Sequence, residues 1–241
     1  HLTHLSADTW RADYEFAEPV ESIRFDPVGP YRSKAWRLLT PGLKLVTGDK
    51  LEEITRGGKR FSSISVEVSL YLPYEQKNYT PFDRFSDGGT DVYVGFFAGD
   101  AQQGNQERPL QLRVQLTGLP NEHVLPLDAR DPAHPDYAYF GPATPAPFGV
   151  ARVILDPKMP AWLIPVIEET TAKVTSYFDL AWHRKLPSTP LLLISLDSVA
   201  EKGLSIKGGA FDDKVVWLNA EHIRALPVPE LSAGSIRWHS G

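Results

Sequence analysis

A chain of 241 residues with 42% apolar content is long enough for one large domain or two ordinary ones and rich enough in core-forming residues to exclude disorder of the whole. Net charge is −5 with both signs mixed along the chain and no basic cluster, which excludes nucleic acid as the expected partner. Cysteine is absent, so disulfides, thiolate metal sites and cysteine nucleophiles are excluded as well, and no apolar run reaches the length that spans a membrane.

In chain order, Trp10 to Phe25 alternates apolar and polar residues in two bursts: Trp10, Ala12, Tyr14 and Phe16 share one face, then Val20, Ile23 and Phe25 follow Pro19. A period of two predicts strands with one wet face. Further short strands are expected over Tyr31 to Leu39, Leu43 to Val46, Leu51 to Thr55 and Ser62 to Leu72, separated by turns at Thr47-Gly48-Asp49 and Gly57-Gly58. Asp87-Gly88-Gly89 signals another turn, after which Val92, Val94 and Phe96 alternate on one side. The cleanest alternation is Leu110 to Leu116, with Leu110, Leu112, Val114 and Leu116 on one side and Gln111, Arg113 and Gln115 on the other. It predicts a strand with one buried and one solvated face. The sum is an antiparallel β-sandwich.

Residues 119–149 change character, with Pro at 120, 126, 132, 135, 142, 145 and 147 and aromatics at Tyr137, Tyr139, Phe140 and Phe148. Proline cannot donate to a ladder, so the expectation is a long ordered connection, its aromatics packed on the sandwich. A domain boundary is placed at its end: residues 1–149 form the β-sandwich with its proline-rich connection, and 150–241 a smaller α/β portion. The fold class is thus mainly β. After a strand at Val150 to Leu155, Asp156 to Pro160 opens a helix in which Leu163, Ile167, Thr170, Val174, Phe178 and Ala181 recur at steps of three and four. Pro160 and Pro165 fall early enough in it to be tolerated, and Glu168-Glu169 lie near its positive end. Pro187 and Pro190 precede a buried strand at Leu191 to Leu196. A second apolar run, Val215 to Leu218, can lie beside it.

Between those runs stands Lys207-Gly208-Gly209-Ala210-Phe211-Asp212-Asp213. Paired glycines next to a strand permit close approach of another backbone, either a neighbouring strand or a peptide-like ligand. Gly209 to Asp213 resembles the Gly-Ala-Met-Glu-Asn edge-strand motif of zinc aminopeptidases related to aminopeptidase N and the glycyl aminopeptidases, members of the thermolysin-like gluzincins. Looser similarities to the same enzymes are Trp10 before an alternating segment, Pro-Val-x-x-Ile-x-Phe at Pro19 to Phe25, the Arg32 to Trp36 pair, and the order helix, proline turn, strand, glycine turn, strand near the end of the chain.

The resemblance implies a substrate-binding edge strand made of Gly208, Gly209, Ala210, Phe211, Asp212 and Asp213. Asp212 stands where the family's Glu holds the substrate's amino group, one methylene shorter, and Asp213 stands where the family has Asn. The family's zinc helix, His-Glu-x-x-His, is absent: Glu221-His222 has no partner at the needed spacing. The expectation is therefore a non-catalytic amino-terminal part of a zinc-dependent aminopeptidase, with no cofactor of its own, zinc in the parent protein, and a peptide substrate or protein partner at a strand edge. The alternatives are an exported β-rich binding module or a pseudoenzyme. At the level of residues alone, Gly208-Gly209 and the two Asp can equally form a polar turn between strands.

Other constellations carry less. His1 and His4 near the amino end suggest flexibility or a vector-derived stretch more than a metal site, and His183 with Arg184 and Lys185 suits a helix carboxyl end. His123, His134, Asp128, Asp131 and Asp136 cluster in the proline-rich stretch with the irregular spacing of a solvated loop. Ser195, Asp197 and His183 or His222 supply the residue types of a hydrolase triad, yet no Gly-x-Ser-x-Gly elbow is present. The first residue is His1 rather than Met, which leads to an expectation of export, periplasmic or secreted, with the cytoplasm left open.

Overall fold

A computed structural model describes residues 1–28, 31–48, 51–70, 81–127, 137–182, 190–196, 205–211 and 215–221. The first strands are β1 (Leu2–Ser6), β2 (Thr9–Val20) and β3 (Ser22–Phe25), followed by a short helix α1 (Tyr31–Ala35), β4 (Trp36–Leu38), β5 (Lys44–Thr47), β6 (Glu52–Thr55) and β7 (Phe61–Ser69). Next come β8 (Phe82–Arg84), β9 (Thr90–Tyr93), a 3-10 turn over Val94–Phe97, β10 (Asp100–Gln103), β11 (Gln106–Pro109), β12 (Leu116–Thr117), β13 (His123–Pro126) and β14 (Tyr137–Gly141). The remaining described elements are β15 (Ala146–Phe148), β16 (Ala151–Leu155), the long helix α2 (Leu163–Trp182), β17 (Leu191–Ser195), β18 (Ser205–Phe211) and β19 (Val215–Glu221).

These elements divide into two compact units, the first comprising 1–82 and 90–142, the second 83–89 and 143–241. Unit 1 carries two five-stranded sheets, ordered β12-β1-β2-β7-β4 and β11-β10-β3-β6-β5, and the strands β13-β14-β9 of a further sheet. The alternation read from Trp10 onward is realised in β2, where Trp10, Ala12 and Tyr14 are buried, and Ile64, Val66 and Val68 of the neighbouring β7 join them. Ile23, Phe25 and Ile54 supply the apolar face of the second sheet. The two faces meet at Phe25 and Trp36, whose rings pack edge to face at 5.2 Å. Gly57 and Gly58, both at positive φ, make the turn between β6 and β7 that their spacing implied.

At the centre of unit 1 lies a buried charge. Arg32 on α1 reaches the Glu52 carboxylate at the start of β6, and donates to the carbonyls of Asp26 and Phe96 at 3.0 and 3.2 Å. Its guanidinium stands 4.7 to 4.9 Å from the ring centres of Phe25, Trp36 and Phe96. Burial brings Arg32 down to about 10, partly opposed by Tyr14, Asp26 and Tyr31. This demand for contacts from α1 explains a departure from expectation: Tyr31 to Leu39 is not one strand. Its first part turns helically to aim Tyr31 and Arg32 inward, and only Trp36–Leu38 joins a sheet.

Three further expectations are corrected. The strand after Asp87-Gly88-Gly89 stops at Tyr93, because Val94 to Phe97 wind into a 3-10 turn that buries Val94, Phe96 and Phe97 together. The proline-rich stretch is not free of strands: β14 is fully buried and pairs with β13 on one side and β9 on the other. Of its described prolines, the two within strands lie on sheet edges, Pro126 on β13 and Pro147 on β15, and the proline-free Tyr137–Gly141 pairs on both sides. Finally, Leu110 to Leu116 keeps its alternation, with apolar residues half-buried and polar ones exposed, yet only Leu116–Thr117 joins a ladder.

Unit 2 is a five-stranded sheet ordered β15-β16-β17-β19-β18, in which β16, β17 and β19 are parallel and the two outer strands antiparallel to their neighbours. Helix α2 makes the crossover between β16 and β17, as a parallel pair requires. Leu163, buried, and Ile164 and Ile167, partly buried, pack with Phe148, Val153, Met159, Leu192 and Ile194 into one apolar cluster. The apolar repeat of α2 is only partly used: Val174 and Thr170, both on the expected inner face, are exposed. Among the described residues no helix is long and apolar enough to cross a membrane.

Candidate peptide-binding edge strand

The two apolar runs near the end of the chain do lie side by side. β17 pairs in parallel with β19, from Leu191 opposite Val215 to Ser195 opposite Asn219. The glycine segment then comes back along the far side of β19: Gly208 stands opposite Leu218, Gly209 opposite Trp217, Ala210 opposite Val216 and Phe211 opposite Val215. Gly208 to Phe211 are therefore strand residues rather than a turn. The run at Val215 to Leu218 is interior to the sheet, and β18 is its edge among the described residues. Asp212 and Asp213 lie outside the described residues.

An edge strand offers backbone N–H and C=O groups, alternating along its length, to whatever extended chain comes beside it. Two glycines in that strand bring no Cβ to hinder the approach. The chemistry available to Gly208, Gly209, Ala210 and Phe211 is thus main-chain pairing, with no titratable side chain among them.

The sheet that presents this edge is fastened at the end of β16 by Asp156, which pattern reading took only as the opening of a helix. Its carboxylate is 1% exposed. One oxygen accepts from the Ser86 hydroxyl and from Lys158 N–H at 2.8 Å; the other accepts from Ser86 N–H at 2.8 Å and Leu196 N–H at 3.1 Å. Ser86 comes from the 83–89 segment, so one carboxylate ties three separate stretches of unit 2. The Asp-Pro pair at 156–157 was the one local signal, and it marks a turn without revealing partners 40 and 70 residues away.

The other histidine and hydrolase readings resolve differently. His4 is a packed residue: its ring stacks on Trp10 with centres 4.0 Å apart, and Nδ1 pairs with Glu122 at 2.8 Å. His1, through Nε2, pairs with the Thr117 hydroxyl at 2.7 Å. His123 is exposed on β13, while His134, Asp128, Asp131 and Asp136 lie outside the described residues. Ser195 is buried at the end of β17, and Asp197, His183 and His222 are outside the described residues.

No protein-family model and no curated protein matches the chain. Among solved structures, it is similar to the crystal structure of an aminopeptidase N family protein from Idiomarina loihiensis, with a TM-score of 0.53 and 13% identity. The match covers 100% of this chain and 44% of that one, so the chain spans less than half the length of its structural neighbour. At that identity the likeness is one of fold: a mainly β, aminopeptidase-like architecture.

Proposed function

We propose that the chain is the amino-terminal, non-catalytic part of a zinc-dependent aminopeptidase, in which β18 receives the amino-terminal stretch of a peptide substrate as an added strand. The observation that carries the reading is the position of Gly208, Gly209, Ala210 and Phe211 on the outer strand of a sheet whose fold resembles an aminopeptidase N family protein. Main-chain pairing would hold the substrate backbone, and by the same resemblance Asp212 would take the part of the family's Glu toward the substrate's amino group, with Asp213 where the family has Asn. Export to the periplasm or beyond belongs to the same proposal.

The described residues do not fit a zinc ion. No His-Glu-x-x-His occurs in the 241 residues, and among the described residues no three or more His, Asp or Glu are grouped to hold a metal. No hydrolytic step is therefore assigned to this chain, and it should not cleave peptides by itself.

The test is to read the gene beyond codon 241 and assay the full-length product for zinc and aminopeptidase activity. Expected are a downstream His-Glu-x-x-His, about one zinc per chain, and a KM raised roughly tenfold when the substrate's backbone amides are N-methylated, since one lost charge-neutral hydrogen bond costs about that much. A product without zinc that still binds extended peptides at β18 would mean a binding module or pseudoenzyme instead. A KM indifferent to N-methylation would remove β18 from the substrate site.

A further inference from the structure

Unit 1 contains a gap whose shape is that of a single β-strand. β1 lies between β2, to which it is antiparallel, and β12, to which it is parallel. Both neighbours continue past the point where β1 begins. β2 pairs with β1 as far as Ala12 opposite Leu2, then runs on to Val20; on the other flank the extended segment 110–115 leads into β12. Among the described residues the backbone of 110–115 is met only at its two ends, by the Leu2 N–H on the Gln115 carbonyl and by its own Leu110 N–H on the Gly99 carbonyl, and β2 is met on this side no further than the hydrogen bonds between His1 and Asp13.

The space between these flanks opens on both faces of the sheet. On the inner face is a cleft of about 740 Å3, floored by Tyr14 and Phe97 and walled by Phe16, Leu110, Leu112 and Val114. On the outer face is a polar hollow of about 530 Å3 bordered by Ser63, Ser65, Thr40 and Gln115. His1, Asp13, Tyr14, Glu15 and Arg113 border both, so the two are the sides of one slit. A strand in a sheet needs such a pair of environments, apolar on one face and polar on the other.

We propose that the slit takes one more strand, about four residues of polypeptide continuous with the amino end of His1 and in line with β1. The registers of the two flanks agree on what it meets. The first added residue, counting away from His1, falls opposite Tyr14 and Val114, and the third opposite Phe16 and Leu112; both face the apolar cleft. The second falls between Glu15 and Arg113 and the fourth between Ala17 and Gln111, both facing out. The shift in β2 pairing between Glu15 and Val20 limits the slot to about this length. This occupant would also account for the strand-like side-chain pattern of Leu110 to Leu116, of which only the end joins a ladder: the added strand would pair with the rest. Continuity with β1 favours a segment in cis over a peptide in trans, and burial holds the His1 amino group below its ordinary value, so an uncharged amide suits that position.

The test compares three forms of the full chain by amide hydrogen exchange: starting at His1, preceded by Thr-Val-Thr-Val, and preceded by Gly-Ser-Gly-Ser. The Thr-Val extension places Val at the two inward positions. Expected is a slowing of at least about tenfold at the Glu15, Arg113 and Gln115 amides with Thr-Val-Thr-Val, little change with Gly-Ser-Gly-Ser, and no change in β16 or β17. Unchanged exchange at those three amides would overturn the proposal. So would equal protection of the His1 form by free acetyl-Thr-Val-Thr-Val-amide at millimolar concentration, which would assign the slit to a peptide in trans.

Discussion

In unit 1 the buried charge is Arg32, met by a carboxylate, two carbonyls and three aromatic rings; in unit 2 it is Asp156, met by three backbone N–H groups and a hydroxyl. The cation depends on side chains brought from α1, β3, β4, β6 and the 3-10 turn, so it exists only when the two sheets have closed on each other. The carboxylate depends mostly on main-chain donors at the ends of β16 and β17, so it needs the sheet and one crossing loop. Each arrangement answers the desolvation of a full charge, and the difference is in how much of the unit must be formed before the answer is available.

Removing the cation should therefore have the largest effect. Arg32→Ala strands the Glu52 carboxylate in an apolar centre and strips three rings of their contact, for a loss of about 3–5 kcal/mol. The double change Arg32→Met with Glu52→Leu should recover most of it, since no charge is then left uncompensated. Urea unfolding followed by tryptophan fluorescence checks both, Trp36 being one of the rings involved. A cost under about 1 kcal/mol for Arg32→Ala would mean that water reaches Glu52 and that the pair is not central.

Asp156→Asn comes next and sharpens the contrast. The change is nearly isosteric, yet both carboxylate oxygens accept from N–H groups, so whichever way the amide is turned its NH2 faces a backbone donor. A loss of about 2 kcal/mol is expected, with faster hydrogen exchange at the Leu196 or Lys158 amide and none of the change appearing at Phe96 or Phe97. Asn tolerated without cost would show that the hydroxyl of Ser86 carries the tie alone.

Pattern reading found the strands where a single strand's own side chains decide them, as at Trp10, Ala12 and Tyr14, and at Leu191 to Leu196. It left Gly208 and Gly209 open between a polar turn and a strand that another backbone can approach; the structure makes Gly208 to Phe211 strand residues beside β19, while Asp212 and Asp213 lie outside the described residues. It failed where a distant partner decides. Tyr31 to Ala35 turns helical because Arg32 must reach Glu52, 20 residues on, and nothing local records that. Tyr137 to Gly141 is free of proline and forms a central strand, while Pro126 and Pro147 lie on edge strands, information that lies in the topology rather than in the proline count. Asp156 was legible as a turn residue and illegible as a hub for the same reason.

Tyr14 tests the Arg32 centre more gently. Its hydroxyl donates to the Phe97 carbonyl at 3.0 Å, so Tyr14→Phe should cost about 1 kcal/mol at neutral pH. Burial pushes the phenol well above its ordinary value of 10, a shift that Arg32 only partly opposes. A folded-state value above the unfolded one means the folded state keeps the proton longer, so this contribution is whole below pH 10 and is lost as pH climbs beyond it. The gap between the parent and Tyr14→Phe, measured by urea unfolding, should thus narrow steadily from pH 9 to about 11. A gap constant over that range would mean the phenol is solvated when folded.

The smallest effect should come from the face of α2 where the apolar repeat and the packing part company. Ile167 packs against the sheet, whereas Val174, two turns further along, is 49% exposed, with Tyr177 and Leu180 more exposed still. The helix thus uses only its first turns to cover the strands that β16 and β17 contribute, while unit 1 encloses its aromatic residues around Arg32. Val174→Lys should change the stability of this chain by less than about 0.5 kcal/mol, because a lysine there keeps helix propensity and loses little buried area. Ile167→Ala, by contrast, should cost about 2 kcal/mol. Measured by urea unfolding, a loss at Val174 matching that at Ile167 would show the apolar repeat to be covered along its whole length, and would erase this part of the difference between the two units.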